Sequence, residues 1–97
     1  MTEDEALNSV GKGWEILISR LYSAKPEHVN VHQVKEKFGG LRFYVGEAPD
    51  EYHDLIDEVE EESYSTCEKC GMPGSLDDND YWLLTLCDMH KAERAEK

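Results

Sequence analysis

Apolar residues recur with the period of an α-helix in two segments of the chain. In the first, they occupy positions i, i+3, i+4 and i+7 on one face, namely Trp14, Leu17, Ile18 and Leu21. A helix is expected to end near Lys25, because Pro26 cannot continue it. The second pattern predicts a helix over 49–64 that starts at Pro49 with acidic residues in its first turn. Its apolar stripe consists of Tyr52, Leu55, Ile56 and Val59.

Between these helices, residues 29–45 have the alternating pattern of a β-hairpin. The second half of this segment places Leu41, Phe43 and Val45 on one face and Arg42 and Tyr44 on the other. Gly39-Gly40 is a turn signal of the two-residue primed type. The valines of the first half change parity between Val31 and Val34, which predicts a bulge or a strand start near Gln33.

The two ends of the chain are patterned differently. Residues 81–86 predict a strand, and residues 87–97, which are mostly good helix formers, predict a helix. Residues 1–9 are acidic and weakly patterned, so they predict a frayed end or an early helical turn. Gly11-Lys12-Gly13 is expected to break any helix before Trp14. The predicted fold class is α+β, with a small α-β-β-α domain followed by a second hairpin and a helix.

The charge of the chain narrows the classes of partner. It has 10 Lys and Arg against 22 Asp and Glu, a formal net charge of −12. Such a balance argues against an ordinary DNA- or RNA-binding protein and against docking on an anionic membrane. There is no apolar stretch long enough to cross a bilayer, and the acidic N-terminus is unlike a secretory signal. We therefore expect a cytoplasmic protein without a membrane partner.

The negative charge is concentrated in two segments. Residues 47–62 contain nine acidic residues and no Lys or Arg, and residues 3–5 contain three more. The other ten acidic residues balance the ten basic ones, so the remainder of the chain is formally neutral. The net negative charge of the chain therefore comes from one predicted helix and one terminal segment.

Three cysteines and one histidine occur in two closely spaced pairs. Cys67 and Cys70 form a C-x-x-C pair, and Cys87 and His90 form a C-x-x-H pair after sixteen intervening residues. A tight turn lets a C-x-x-C pair aim both sulfurs at one point, and Gly71 can supply the left-handed backbone that such a knuckle needs. Four ligands of this kind are typical of tetrahedral zinc. An odd number of cysteines argues against a disulfide framework, and the missing βαβ pattern argues against a redox pair.

The order of the predicted elements indicates the kind of zinc module. Cys87 and His90 are expected at i and i+3 in the first turn of the last helix, facing the same way. A knuckle, a hairpin and a helix carrying the last two ligands form a treble-clef-like arrangement. A zinc ribbon is the alternative, with the second pair on another knuckle. Four protein ligands close the site, so we expect structural zinc.

These elements divide a single domain, 1–97, into three parts. Residues 1–10 form an acidic N-terminal tail, residues 11–63 form a helix, a hairpin and an acidic helix, and residues 64–97 form the zinc module. A core built from 97 residues is small, and a metal is one means of supporting it.

Three stretches of the sequence resemble small phage- and prophage-encoded zinc-binding proteins of undefined role. They are Gly13-Trp14, the segment Val34-Lys35-Glu36-Lys37-Phe38-Gly39-Gly40-Leu41-Arg42-Phe43-Tyr44, and the two ligand pairs with Pro73-Gly74, Trp82 and Thr85-Leu86 around them. The resemblance covers most of residues 11–92. It implies a phage or prophage origin, hence the cytoplasm of an infected or lysogenic bacterial host. It also implies the same four zinc ligands and no catalytic residue.

An enzymatic function is not favoured by the remaining chemistry. HNH-type nucleases add a catalytic histidine and a second metal site to a treble clef. His90 is already a zinc ligand, and His28, His32 and His53 have no second histidine near them in a recognisable motif. We therefore predict that the protein is not an enzyme.

A small basic island offers one binding hypothesis. Lys35, Lys37, Arg42 and Tyr44 lie on the first hairpin, where basic and aromatic groups can bind single strands. Three cations are few, however, and Glu36 lies among them in sequence. This zinc-finger nucleic-acid-binding function is the alternative, and an ordinary sheet with outward charges explains the same residues.

The acidic helix offers the leading hypothesis, a protein–protein interaction. Its carboxylates can occupy a basic surface built for phosphates and steer the encounter electrostatically. The predicted contact residues are Asp54, Asp57, Glu58, Glu61 and Glu62. On this hypothesis the protein inhibits a host nucleic-acid-binding or defence protein. The competing explanations are an unspecified binding or assembly role and a helix face that is only solvated.

Overall fold

The computed structural model describes residues 1–78 and 82–96 and has an α+β architecture. Within these residues the elements follow in the order α1 (Glu3–Asn8), α2 (Glu15–Ala24), β1 (Val31–Lys37), β2 (Gly40–Val45), α3 (Asp50–Ser63), β3 (Ser75–Asp77), β4 (Leu84–Leu86) and α4 (Asp88–Ala95). The strands form two separate antiparallel pairs, β1–β2 and β3–β4. No helix in the described residues is both long enough and apolar enough to span a membrane.

The acidic N-terminal segment is a capped helix attached to the core. The Thr2 side chain accepts from the Glu5 N–H, and the Glu5 carboxylate accepts from the Thr2 N–H, forming a capping box. The terminal amine donates to the Val31 carbonyl, and Ala6 is fully buried. Of the two predictions for residues 1–9, the helical one is confirmed. This segment belongs to the fold and is not a free tail.

The next helix begins differently from the prediction. Gly11-Lys12-Gly13 does not simply interrupt the chain, because Lys12–Trp14 forms a 3₁₀ turn that leads directly into α2. Trp14 is completely buried, and its indole N–H donates to the Thr66 carbonyl at 2.9 Å. The predicted core position of Trp14 is therefore confirmed, and its one polar atom connects α2 to the chain that enters the metal-ligand region.

The first hairpin has the predicted register change but a different turn. The shift lies between Val31 and Gln33, as expected. Lys37 pairs with Gly40, so the two turn residues are Phe38 and Gly39 rather than Gly39-Gly40. Both have a positive φ, 54° and 82°, as a primed turn requires. The prediction failed because a bulky aromatic residue rarely takes this conformation.

Helix α3 packs against the edge of β2 with its predicted stripe. Tyr52, Ile56 and Val59 are buried on this side, and Leu55 is half-buried. The Ser63 hydroxyl accepts from the Leu41 N–H at 2.9 Å. The Glu60 carboxylate accepts from the Phe43 N–H at 2.8 Å, while burial raises the pKa of Glu60. Side chains of α3 therefore accept hydrogen bonds from two N–H groups along the edge of β2.

Two clusters of buried side chains result. The larger contains thirteen described residues from α1 to α3, with Trp14, Ile18, Leu21 and Leu41 fully buried. The smaller contains, among the described residues, Cys67, Leu86 and Cys87, with the half-buried Leu84 packed against them.

The predicted C-terminal strand and helix are shorter in the structure. The strand over 81–86 is reduced to Leu84–Leu86, and Tyr81 lies outside the described residues. The helix over 87–97 is reduced to Asp88–Ala95, and Lys97 also lies outside them.

Candidate metal centre

The first ligand pair lies in a tight turn between α3 and β3. The Cys67 N–H donates to the Met72 carbonyl, and the Gly71 N–H donates to the Cys67 carbonyl, both at 2.8 Å. Gly71 has a φ of 84°, which confirms the left-handed backbone predicted for it. This folding of the chain brings Cys67 and Cys70 to the same side of the turn. We call residues 67–72 the knuckle.

The second ligand pair lies where β4 passes into α4. Cys87 is the N-cap of the helix, with an extended backbone at φ −75° and ψ 169°, and His90 lies in the first turn. Cys87 was expected inside that turn, and this detail is wrong. Its carbonyl accepts the Lys91 N–H at 2.9 Å, as the first bond of a helix requires. The N-cap position still directs its sulfur to the side on which His90 lies.

The four ligand atoms converge within 4.8 Å of one another. The Nδ1 atom of His90 lies 3.5 Å from the Cys67 sulfur and 3.1 Å from the Cys87 sulfur. The sulfurs of Cys70 and Cys87 are 3.7 Å apart. Cys67 and Cys87 are buried, His90 is half-buried and Cys70 is exposed. The residues predicted from their spacing are thus brought together in space and can hold a metal ion.

Backbone N–H groups favour the thiolate form of the first cysteine. Burial alone opposes ionisation, but the N–H groups of Cys87, Lys69 and Cys70 outweigh it and lower the pKa of Cys67 to about 6. A metal needs its cysteine ligands deprotonated, and these N–H groups favour that form of Cys67.

A buried glutamate joins the knuckle to the second hairpin. The Glu68 N–H donates to the Thr85 carbonyl at 3.0 Å, and the Glu68 carboxylate accepts from the Thr85 N–H at 3.1 Å. Burial raises the pKa of Glu68 to about 7. The Thr85 hydroxyl in turn donates to the Gly39 carbonyl at 2.6 Å. This chain of bonds links the metal-ligand residues to the turn of the first hairpin.

Two glycines let the N-terminal part of the domain approach the knuckle. The Gly13 N–H donates to the Glu68 carbonyl at 2.9 Å. A Cβ atom at Gly13 would lie 2.0 Å from the Cys67 carbonyl oxygen, and one at Gly11 would lie 2.0 Å from the Glu68 carbonyl oxygen. This contact was not predicted from the sequence, although two closely spaced glycines directly before Trp14 were a visible signal.

Within the described residues, four of the five predicted partner-binding carboxylates are exposed and without an ion pair, and the fifth is paired with an arginine. Asp54, Asp57, Glu58 and Glu61 are exposed and lie within about 100° of arc, opposite the buried stripe of α3. None of these four forms an ion pair within residues 1–78 and 82–96. We call these four residues the acidic face. Glu62 is instead occupied by Arg20, 2.6 Å away.

The predicted basic island occupies one face of the first hairpin. Lys35 is directly opposite Arg42, and Lys37 and Tyr44 are each two residues from one of them, so all four share a face. Glu36, which seemed to interrupt this island in the sequence, has the opposite parity. Its carboxylate accepts hydrogen bonds from the Gly39 N–H and the Trp82 indole.

Comparisons of the chain with family models, with curated proteins and with solved structures gave no match. The resemblance to phage-encoded proteins therefore stays a prediction.

Proposed function

We propose that Cys67, Cys70, Cys87 and His90 hold a structural zinc ion in a treble-clef-like module. Tetrahedral zinc with bonds of about 2.3 Å to sulfur and 2.0–2.1 Å to nitrogen separates two sulfurs by about 3.8 Å. It separates sulfur from nitrogen by about 3.5 Å. The 3.7 Å between the Cys70 and Cys87 sulfurs and the 3.5 Å between the Cys67 sulfur and His90 Nδ1 match these values, while the 3.1 Å between the Cys87 sulfur and His90 Nδ1 is about 0.4 Å shorter. Four protein ligands leave no open position, so the proposed role is in folding.

We infer that the protein acts by binding another protein through the acidic face. The observation that carries this inference is the line of four exposed carboxylates without ion pairs, spread over about 10 Å of a helix fixed to the core. Binding loses little conformational entropy when the charges already lie on a rigid element. A basic surface is the complementary partner, and electrostatic steering accelerates the encounter.

The partner proposed here is a protein that binds phosphates. A row of carboxylates offers such a site negative charge at regular intervals, so it competes with nucleic acid for the site. Together with the resemblance to phage-encoded proteins, this favours inhibition of a nucleic-acid-binding or defence protein in the cytoplasm of an infected bacterium. The proposal is a binding function and assigns no catalytic residue.

Affinity capture from a bacterial lysate tests this function with two charge-matched variants. In the first, Asp54, Asp57, Glu58 and Glu61 are each replaced by Lys. In the second, the same reversals are made at exposed carboxylates elsewhere, namely Asp4, Glu15, Glu27 and Glu93. Both variants have the same formal net charge, so only the position of the charge differs.

The expected result is a partner that the wild type and the second variant retain and the first variant loses. Retention should also fall steeply as salt rises from about 50 to 500 mM, because exposed charges are screened. If the first variant is folded and keeps its partner as well as the second does, the acidic face is not the binding surface.

A further inference from the structure

The outer face of the first hairpin carries a repeated pair of a cation and an aromatic ring. The Lys35 ammonium lies 5.8 Å from the centre of the Tyr44 ring, and the Lys37 ammonium lies 5.6 Å from that of Phe38. The Arg42 guanidinium lies 5.8 Å from the centre of the Tyr64 ring and donates to the Tyr64 hydroxyl. Each cation is therefore held beside an aromatic ring on this face.

These cations are not neutralised by acidic neighbours. In the described part of the chain, neither lysine nor Arg42 forms an ion pair. Glu36 is bound on the other side of the strand, where both of its oxygens accept hydrogen bonds. Glu60 on α3 interacts electrostatically with Arg42, but its carboxylate is bonded to the Phe43 N–H and forms no ion pair with Arg42. A local positive surface therefore exists despite the net charge of the chain.

The end of the hairpin adds an exposed ring in a costly conformation. Phe38 is 64% exposed and has a φ of 54°, where a glycine or asparagine is favoured. A bulky residue in this region destabilises the turn, and burial of the ring does not compensate. Strain of this kind clusters at functional sites, which makes the exposed Phe38 ring a candidate contact for a ligand.

A second exposed ring stands beside this turn. Phe38 and Trp82 line a cavity of about 240 Å³ together with Glu36, Lys37 and Leu83. Trp82 is 65% exposed, and its indole is oriented by the bond to Glu36. This volume can accommodate a planar ring beside Phe38 and Trp82, and Lys37 is part of the same lining.

We propose that this face, formed by Lys35, Lys37, Arg42 and Tyr44, together with Phe38 and Trp82 at the turn end of the hairpin, binds a short single-stranded nucleic acid. A nucleotide combines a flat base with a phosphate, which matches a ring beside a cation at each position. A folded duplex hides the faces of its bases, so single strands are preferred. The rings supply sequence-tolerant stacking, and the cations supply phosphate contacts.

Fluorescence anisotropy with a labelled oligothymidylate of about 12 nucleotides tests this proposal on the zinc-loaded full chain. Binding is expected below about 100 μM at low salt, and a duplex of the same length should bind more weakly. Three phosphate contacts limit the slope of log affinity against log salt to about −2. Removing two cations in Lys35→Gln/Lys37→Gln should reduce that slope by more than half. The charge-matched control, Lys12→Gln/Arg20→Gln, lies outside both the hairpin and the knuckle and should bind like the wild type.

The substitution Phe38→Asn separates ligand binding from turn stability. Asparagine favours the positive φ, so the melting temperature should rise, whereas losing the stacking ring should weaken binding about fivefold or more. Unchanged affinity in Phe38→Asn would overturn a role of this ring in stacking. The whole proposal is wrong if the wild type does not bind the oligonucleotide. It is equally wrong if Lys35→Gln/Lys37→Gln and its charge-matched control weaken oligonucleotide binding to the same extent. It is also wrong if Lys35→Gln/Lys37→Gln no longer captures a protein partner from the lysate but still binds the oligonucleotide like the wild type.

Discussion

The two buried clusters of this protein are held together by different means. The cluster that extends from α1 to α3 has thirteen buried side chains, and each large one contributes about 1.5–3 kcal/mol. Among the described residues, the cluster around the knuckle has three, of which two are ligand cysteines; Leu86 is the third, and the half-buried Leu84 packs against it. Ordering a residue costs about 1.5 kcal/mol, so two leucines cannot fold the knuckle, the second hairpin and α4.

With the proposed zinc ion, metal affinity takes the place of a hydrophobic core in the second region. Zinc stabilises small metal-binding domains by about 10–16 kcal/mol, which is more than their apolar contacts supply. The first region should therefore respond to changes in packing, and the second to metal, to ligand chemistry and to the contacts that attach it to the first.

Removal of the metal should have the largest effect and should act on one region. We expect a chelator to unfold residues 64–97, while the larger cluster remains folded because none of its residues is a ligand. Backbone amide spectra recorded before and after chelation measure this directly. His90→Asn should reproduce the loss, and the exposed His28→Asn is its control. Unchanged spectra and circular dichroism after complete metal removal would falsify the structural role of zinc.

Replacement of the buried tryptophan should be the largest effect on the first region. Trp14→Ala removes a fully buried ring and the donor to the Thr66 carbonyl, so we expect a loss of about 3–5 kcal/mol in unfolding free energy. Trp82→Ala makes the same change at a side chain that is 65% exposed and should cost about 0.5 kcal/mol or less. Denaturant unfolding of both zinc-loaded variants measures the difference. Equal losses would contradict the assignment of Trp14 to the core.

A single methyl group tests the contact between the two regions. Gly13→Ala would place Cβ 2.0 Å from the Cys67 carbonyl, so the knuckle must move, at a cost of about 1–3 kcal/mol. Zinc affinity should fall with it, because the displaced knuckle carries two ligands. Gly46→Ala is the control, since its Cβ meets only the flexible His32 side chain, at 3.2 Å. Competition with a chelator compares the affinities, and identical values would show that docking and metal binding are independent.

The smallest expected effect concerns a tyrosine in the first region. Burial raises the pKa of Tyr52 to about 12, and its hydroxyl donates to the Leu21 carbonyl at 2.7 Å. Because the folded pKa lies above the unfolded value near 10, this stabilisation is complete below pH 10 and is lost as the pH rises towards 12. Tyr52→Phe should cost about 1 kcal/mol at neutral pH and remove the latest step in an absorbance titration of the tyrosines. Titration of Tyr52 near pH 10 in the wild-type protein would contradict the raised pKa.

Periodicity and ligand spacing predicted the elements that depend on local pattern. The stripe of Tyr52, Ile56 and Val59 fixes which side of α3 is buried, whatever packs against it. Likewise, a C-x-x-C turn followed by glycine brings two sulfurs together by its own backbone geometry. The convergence of Cys67, Cys70, Cys87 and His90 was predictable for this reason.

The features that were missed depend on distant parts of the chain. The turn moved to Phe38-Gly39 because the pairing of Lys37 with Gly40 leaves only these two residues between the strands. Position 40 requires a glycine because a Cβ atom there would lie 2.3 Å from the Tyr64 ring. Local turn propensity cannot detect such a neighbour, because it lies beyond the next helix.

The hydrogen bonds between α3 side chains and the backbone of β2 also limit how this protein can associate with other chains. Exposed N–H groups on a strand edge are templates on which another chain can add a strand, as in domain swapping and amyloid. At Leu41 and Phe43 these donors are already occupied by Ser63 and Glu60. Strand addition at this edge would first require α3 to leave. The hairpin can thus present an aromatic surface while this edge resists aggregation.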